Sequence, residues 1–161
     1  MAFRLKRSWT LLTAALLVTL PGCSAASSDE VPMAEAIVQG YFAALSEGRF
    51  DDAAGLYAGD FEELSAINPD VDPQDHALLF ERWCTQNGGV CLPILAIVSR
   101  DVLDDGSVRF RVQFSNADGS LFEIGPCCGE VDTGQRTNEF DYVVRRIDGD
   151  LRVLQLPPYV P

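Results

Sequence analysis

From Ala34 onward apolar residues recur at every third or fourth position: Val38, Phe42 and Leu45, with Ile37, Tyr41 and Ala44 widening the stripe. A period of 3.6 gathers such a stripe on one side of a helix. Gly48 supplies the left-handed residue that ends it. A second helix is expected over "DDAAGLYAGDFEEL", residues 51–64, with Ala53, Leu56, Tyr57 and Phe61 on its buried side. Asp51 or Asp52 stands at its electropositive start. A third is expected within "NPDVDPQDHALLFERWC", with Asp72 as N-cap, Pro73 at the first helical position and Asp75 three residues after the cap. It carries His76, Phe80 and Trp83 along one face, with Leu79 beside them.

Past Gly88-Gly89 the period falls to two. "LPILAIVSRDVL" reads as a strand, "DDGS" as a turn, and "VRFRVQF" as the clearest strand of the chain. There Val108, Phe110, Val112 and Phe114 share one face while Arg109, Arg111 and Gln113 share the other. "NADGS" turns the chain, and "LFEIG" is expected to run a further strand into "PCCG". "EFDYVVRRI" and "DLRVLQL" follow as a hairpin about Asp148-Gly149. "PPYVP" stops the sheet, because proline cannot donate to a ladder. Three N-terminal helices followed by a meandering antiparallel sheet make an α+β plan with the helices on one face.

The first residues have a different character. Arg4, Lys6 and Arg7 stand without any acid, an uncharged apolar run of 11 residues follows, and "PGCSAASS" supplies small side chains. That is the layout of an export signal. The apolar run is shorter than the roughly 20 residues of a membrane-spanning helix. At the end of that run "LPGC", Leu20 to Cys23, resembles a bacterial lipobox. The resemblance implies a leader over residues 1–22, cut to leave Cys23 as an acylated first residue that attaches the protein to the bilayer. Cleavage after Ala25 or Ala26 is the rival and gives a free secreted protein. Residues 23–32 then read as a short polar tether and residues 33–161 as the domain.

Five cysteines leave an odd thiol in an exported chain. Lipidation of Cys23 removes one, and the oxidising exterior favours pairing of Cys84, Cys91, Cys127 and Cys128 as two disulfides. Zinc is disfavoured because C-x6-C followed after 35 residues by C-C lacks the paired C-x2-C spacing of closed zinc sites. A ring joining Cys127 to Cys128 falls short of the usual Cα separation of about 5.5 Å. Two arrangements stay open: each member of the pair reaching Cys84 or Cys91, which we expect, or Cys84–Cys91 with a vicinal bond.

"YFAALSEGRFDDAAGLY" and the ending "YVVRRIDGDLRVLQLPP" resemble the opening helices and the last hairpin of the nuclear-transport-factor-2-like superfamily. The resemblance spans about residues 34–158. It implies a curved sheet wrapped over helices as a cone, with a pocket between them for which His76, Tyr57 and Tyr142 are the candidate residues. That superfamily includes ketosteroid isomerase, scytalone dehydratase and limonene epoxide hydrolase, and also non-catalytic binding and assembly domains. None of their catalytic motifs matches here, so no catalytic residue is assigned.

Charge narrows the partners. The 139 residues after position 22 hold all 24 acids against nine arginines and no lysine, a balance of about −15. Nucleic acid is excluded, since phosphate contacts need a basic surface, and anionic lipid is not an electrostatic partner. Asp70, Asp72 and Asp75 lack the glycine and glutamate of a calcium loop, so no metal and no cofactor are expected. The expected role is an envelope-anchored, non-catalytic domain binding a small ligand or an envelope protein. The alternatives are a purely structural accessory, or an isomerase- or dehydratase-like pocket enzyme using His76, the only histidine, with a nearby acid.

Overall fold

The computed structural model describes residues 30–125 and 136–160. The expected leader, most of the tether with Cys23, and Cys127 and Cys128 lie outside them. Four helices precede four strands: α1 (Glu30–Ser46), α2 (Phe50–Leu56), α3 (Glu62–Ile67), α4 (His76–Thr85), β1 (Ile94–Val102), β2 (Val108–Phe114), β3 (Phe140–Ile147) and β4 (Asp150–Val153). The sheet is an antiparallel meander in the order β1-β2-β3-β4. The chain is thus an α+β protein, and α1 lies against all four strands. No helix of the described residues is long and apolar enough to cross a membrane.

Alternation decides which face of the sheet is covered. Val108, Phe110, Val112 and Phe114 are all buried against the helices, and Tyr142, Val144 and Val153 join them from β3 and β4. The helices contribute Val38, Tyr41, Phe42 and Leu45 from α1 and Leu79, Phe80 and Trp83 from α4. Arg109, Arg111 and Asp141 stand on the outer face. Gly48 adopts φ 73° at the end of α1, and Asp148 and Gly149, at 51° and 97°, turn β3 into β4. Positive φ at both positions is what a two-residue hairpin of right-twisted strands demands.

Four expectations are corrected. Glu30, Val31 and Pro32 are the first turn of α1 rather than the end of the tether, and Glu30 meets Arg146 of β3 at 2.9 Å. The single helix expected over residues 51–64 is two, α2 and α3. At Tyr57 the backbone turns extended and bridges Val153, with the Ala58 N–H donating to the Val153 carbonyl at 2.9 Å. Gly59 permits this, because a Cβ there would overlap the Tyr57 hydroxyl and the Leu154 carbonyl. The cap of α4 is Asp75, whose carboxylate accepts from the Leu78 N–H at 3.1 Å. Asp72 instead closes a turn, accepting from Gln74 N–H at 2.9 Å, so Pro73 precedes the helix. Finally, residues 121–125 make no strand of the sheet. They fold back on the end of β2 through a lone Ser115–Leu121 bridge and meet Thr137 through Ile124.

Candidate functional site

The three candidate pocket residues belong to one run of aromatic rings but not to one cavity. His76 opens α4 and lays its imidazole flat on Phe61, with centroids 3.8 Å apart and planes 4° from parallel. Phe61 meets Tyr57 edge-on at 5.0 Å and Phe80 at 5.3 Å. Tyr57 stacks on Tyr41 at 6.1 Å, Tyr41 meets Phe42 at 5.0 Å, and Phe42 meets both Tyr142 and Phe114 at 4.7 Å. His76 and Tyr57 therefore share Phe61 as a neighbour, while Tyr142 lies at the far end of the run. These rings take up the space between helices and sheet, where Tyr41, Phe42, Phe80 and Phe114 are wholly buried.

The chemistry of the phenols follows from that burial. Desolvation pushes the Tyr41, Tyr57 and Tyr142 hydroxyls up from their ordinary range, and Asp60 and Glu63 add to the effect at Tyr57. A phenol held protonated can donate a hydrogen bond but cannot act as a base. Tyr57 donates to the Asp60 carbonyl at 3.1 Å, whereas the Tyr41 hydroxyl has no partner. His76 makes no hydrogen bond with a carboxylate among the described residues. Its stack is a packing interaction of about 0.5–1.5 kcal/mol. His76→Ala is expected to lower thermal stability by that amount and His76→Phe to preserve it. Loss of stability in the phenylalanine variant would point to a polar role for the ring.

Each acid that resembled a metal ligand has a structural partner. Asp70 meets Arg82 at 2.7 Å, and that guanidinium holds its carboxyl below the usual range. Asp72 and Asp75 accept from backbone N–H groups. No group of ligating side chains able to hold a metal occurs among the described residues. On the outer sheet face Arg111 grips Asp141 through two hydrogen bonds, 2.8 and 3.1 Å, which lowers the Asp141 pKa. Arg109 lies 3.6 Å from Asp101. These exposed pairs contribute little to stability.

Cys84 and Cys91 are disulfide cysteines as expected, but their pairing is the local alternative rather than the long-range one. Cys84, near the end of α4, is bonded to Cys91, with Cα atoms 5.4 Å apart. Both sulfurs are thereby used, and Cys127 and Cys128 lie outside the described residues. The cause is local: Gly88, at φ 82°, and Gly89 bend the six residues between the cysteines back on themselves. Gly89 donates to the Trp83 carbonyl at 2.9 Å, and the Trp83 indole fills the space where a Cβ of residue 89 would stand. The C-terminal segment then pairs with this loop. Val90 N–H donates to the Pro158 carbonyl at 2.7 Å, and Val160 N–H to that of Gly88 at 2.9 Å.

That pairing creates a surface cleft of about 640 Å³, within the range of small-ligand sites. Trp83, Asn87, Tyr159, Val160, Ile67 and Glu63 line it. None of them was a site candidate from the sequence. They come from α3, α4, the disulfide loop and the tail, and the only early signal was "PPYVP", which reads as a strand terminator. No protein-family model, curated protein or solved structure matches the chain.

Proposed function

We propose that this chain is an exported envelope lipoprotein whose domain, of the nuclear-transport-factor-2-like kind, binds a small ligand or a partner protein rather than catalysing a reaction. The basic, apolar and small-residue segments before Cys23 support export, and "LPGC" supports acylation there. The Cys84–Cys91 bond agrees with this, since disulfides persist in oxidising compartments. With about −15 charges on the mature part, attachment rests on acyl chains, two or more being needed for a stable anchor. One observation carries the choice of binding over catalysis. Rings fill the interior where a cone enzyme would hold its substrate, and the open cleft lies outside them, beside Trp83.

Anchoring is tested by processing. Globomycin, or Cys23→Ala, is expected to leave unprocessed precursor and to deplete the mature protein from membranes. Release of a normally sized soluble protein from the Cys23→Ala chain would favour cleavage after Ala25 or Ala26. A substrate screen in which His76→Ala abolished turnover would replace the binding reading with the enzymatic one.

A further inference from the structure

The fold has two ends, and α1 runs from one to the other. Its first residue, Glu30, meets Arg146 at 2.9 Å, and Glu35 accepts two hydrogen bonds from Arg100. Farther along, Phe42 packs on Phe114 and Tyr142. Arg100 lies two residues before the end of β1 and Arg146 one before the end of β3, whereas Phe114 is the last residue of β2. In an antiparallel meander the end of β1, the start of β2, the end of β3 and the start of β4 share one end of the molecule. This near end gathers the first turn of α1, the turn at residues 103–107 and the Asp148-Gly149 hairpin. The far end holds the starts of β1 and β3 and the end of β2. There Ser115 N–H donates to the Pro93 carbonyl at 3.0 Å, just past the disulfide loop, and the tail pairs with Gly88 and Val90. The cleft beside Trp83 belongs to the far end.

The tether is shorter than the sequence pattern implies, because helix begins at Glu30. Cys23 and Glu30 are seven residues apart, a stretch that spans at most about 25 Å in any conformation. The 17 residues of α1 are themselves about 25 Å long, and the nine of β1 cover about 30 Å. Ile67, Tyr159 and Val160 expose apolar surface at the far end that would suit a bilayer. Reaching it would require the seven residues to lie fully stretched along the body, a state of very low conformational entropy. Charge does not pull the near end down. Its acids Glu30, Asp104, Asp105, Asp148 and Asp150 outnumber Arg145, Arg146 and Arg152, so anionic headgroups find no basic patch there. Tether length alone sets the pose. We infer that acylated Cys23 holds the domain with the first turn of α1 and the two acidic turns toward the bilayer, and presents the Trp83 cleft to the aqueous compartment. The occupant of the cleft then arrives through water, and membrane lipid is excluded. This rests on the anchor proposed above.

Paramagnetic broadening reads the pose. The mature lipidated chain, isotope-labelled, is placed in phosphatidylcholine discs doped with a lipid whose headgroup chelates gadolinium. Broadening falls steeply with distance from the headgroups. With ends roughly 25–30 Å apart, the amides of Met33, Val102 and Gly149 should broaden at least about tenfold more than those of Asn87, Val90 and Val160. Equal broadening at the two ends, or stronger broadening at Asn87, Val90 and Val160, would overturn the orientation while leaving the anchor in place. A chain that does not copurify with the discs would remove the anchor, and the orientation with it. Inserting about 12 Gly and Ser residues after Ser28 gives a flexible reach longer than the body, and should cut the contrast between the ends to below about threefold. A contrast unchanged by the insertion would mean that surface contact, not the tether, sets the pose, and would overturn the inference as well.

Discussion

Phe42→Ala is expected to destabilise the domain by about 3–5 kcal/mol, the usual cost of removing a buried phenylalanine ring. Phe42 is 0 % exposed and sits where α1 crosses the sheet, touching Tyr41, Phe114 and Tyr142 at centroid distances of 4.7–5.0 Å. Two costs add: the lost transfer of the ring from water, and the cavity left among neighbours that α1, β2 and β3 hold in place. Since domains are stable by only about 5–15 kcal/mol, the variant should be unfolded in part at moderate temperature. Urea unfolding should show a lower midpoint with the slope unchanged. Leu95→Ala, at a side chain 46 % exposed on β1, should change stability by less than about 0.5 kcal/mol. A small effect at Phe42, equal to that at Leu95, would mean that α1 does not pack on this face of the sheet.

The residues that support this expectation were legible before any coordinates, and the reason is periodicity. Val108–Phe114 alternates without interruption, and its four apolar members are the four buried ones. Val38, Phe42 and Leu45 likewise keep the helical period, and Asp148-Gly149 names its own turn. Where local patterns compete, periodicity alone misleads. Residues 51–64 keep an apolar stripe of helical period, but the long-range bridge from Tyr57 to Val153 outbids continued helix, with Gly59 making room. Asp72-Pro73 and Asp75 both offer plausible starts for α4, and only the closing of an Asx turn on Gln74 leaves the cap to Asp75. "LFEIG" alternates too briefly to distinguish a sheet strand from a fold-back. The cleft was illegible for a different reason. Glu63, Trp83, Asn87 and Tyr159 have no shared period, and tertiary pairing alone brings the tail to the loop.

Cys84→Ala/Cys91→Ala is expected to cost about 2.4 kcal/mol, the loop-closure entropy restored to the unfolded chain by opening a ring of sequence separation 7. For a domain of this size that lowers the melting temperature by roughly 10 °C. The loss should have a local signature. The bonded loop holds Gly88 and Val90 in place for the tail, whose Tyr159 covers Trp83, so amide exchange should accelerate at Val90 and Val160 before it does in β2. The cleft beside Trp83 should lose its shape together with the tail, because Asn87 and Gly88 lie between the two sulfurs. Adding reductant to the parent chain should reproduce both changes, and Cys127→Ala/Cys128→Ala should reproduce neither. The pairing itself is read by non-reducing peptide mapping, in which Cys84 and Cys91 should travel together. A bridge from either of them to Cys127 or Cys128 would restore the long-range arrangement and detach the tail's stability from this loop.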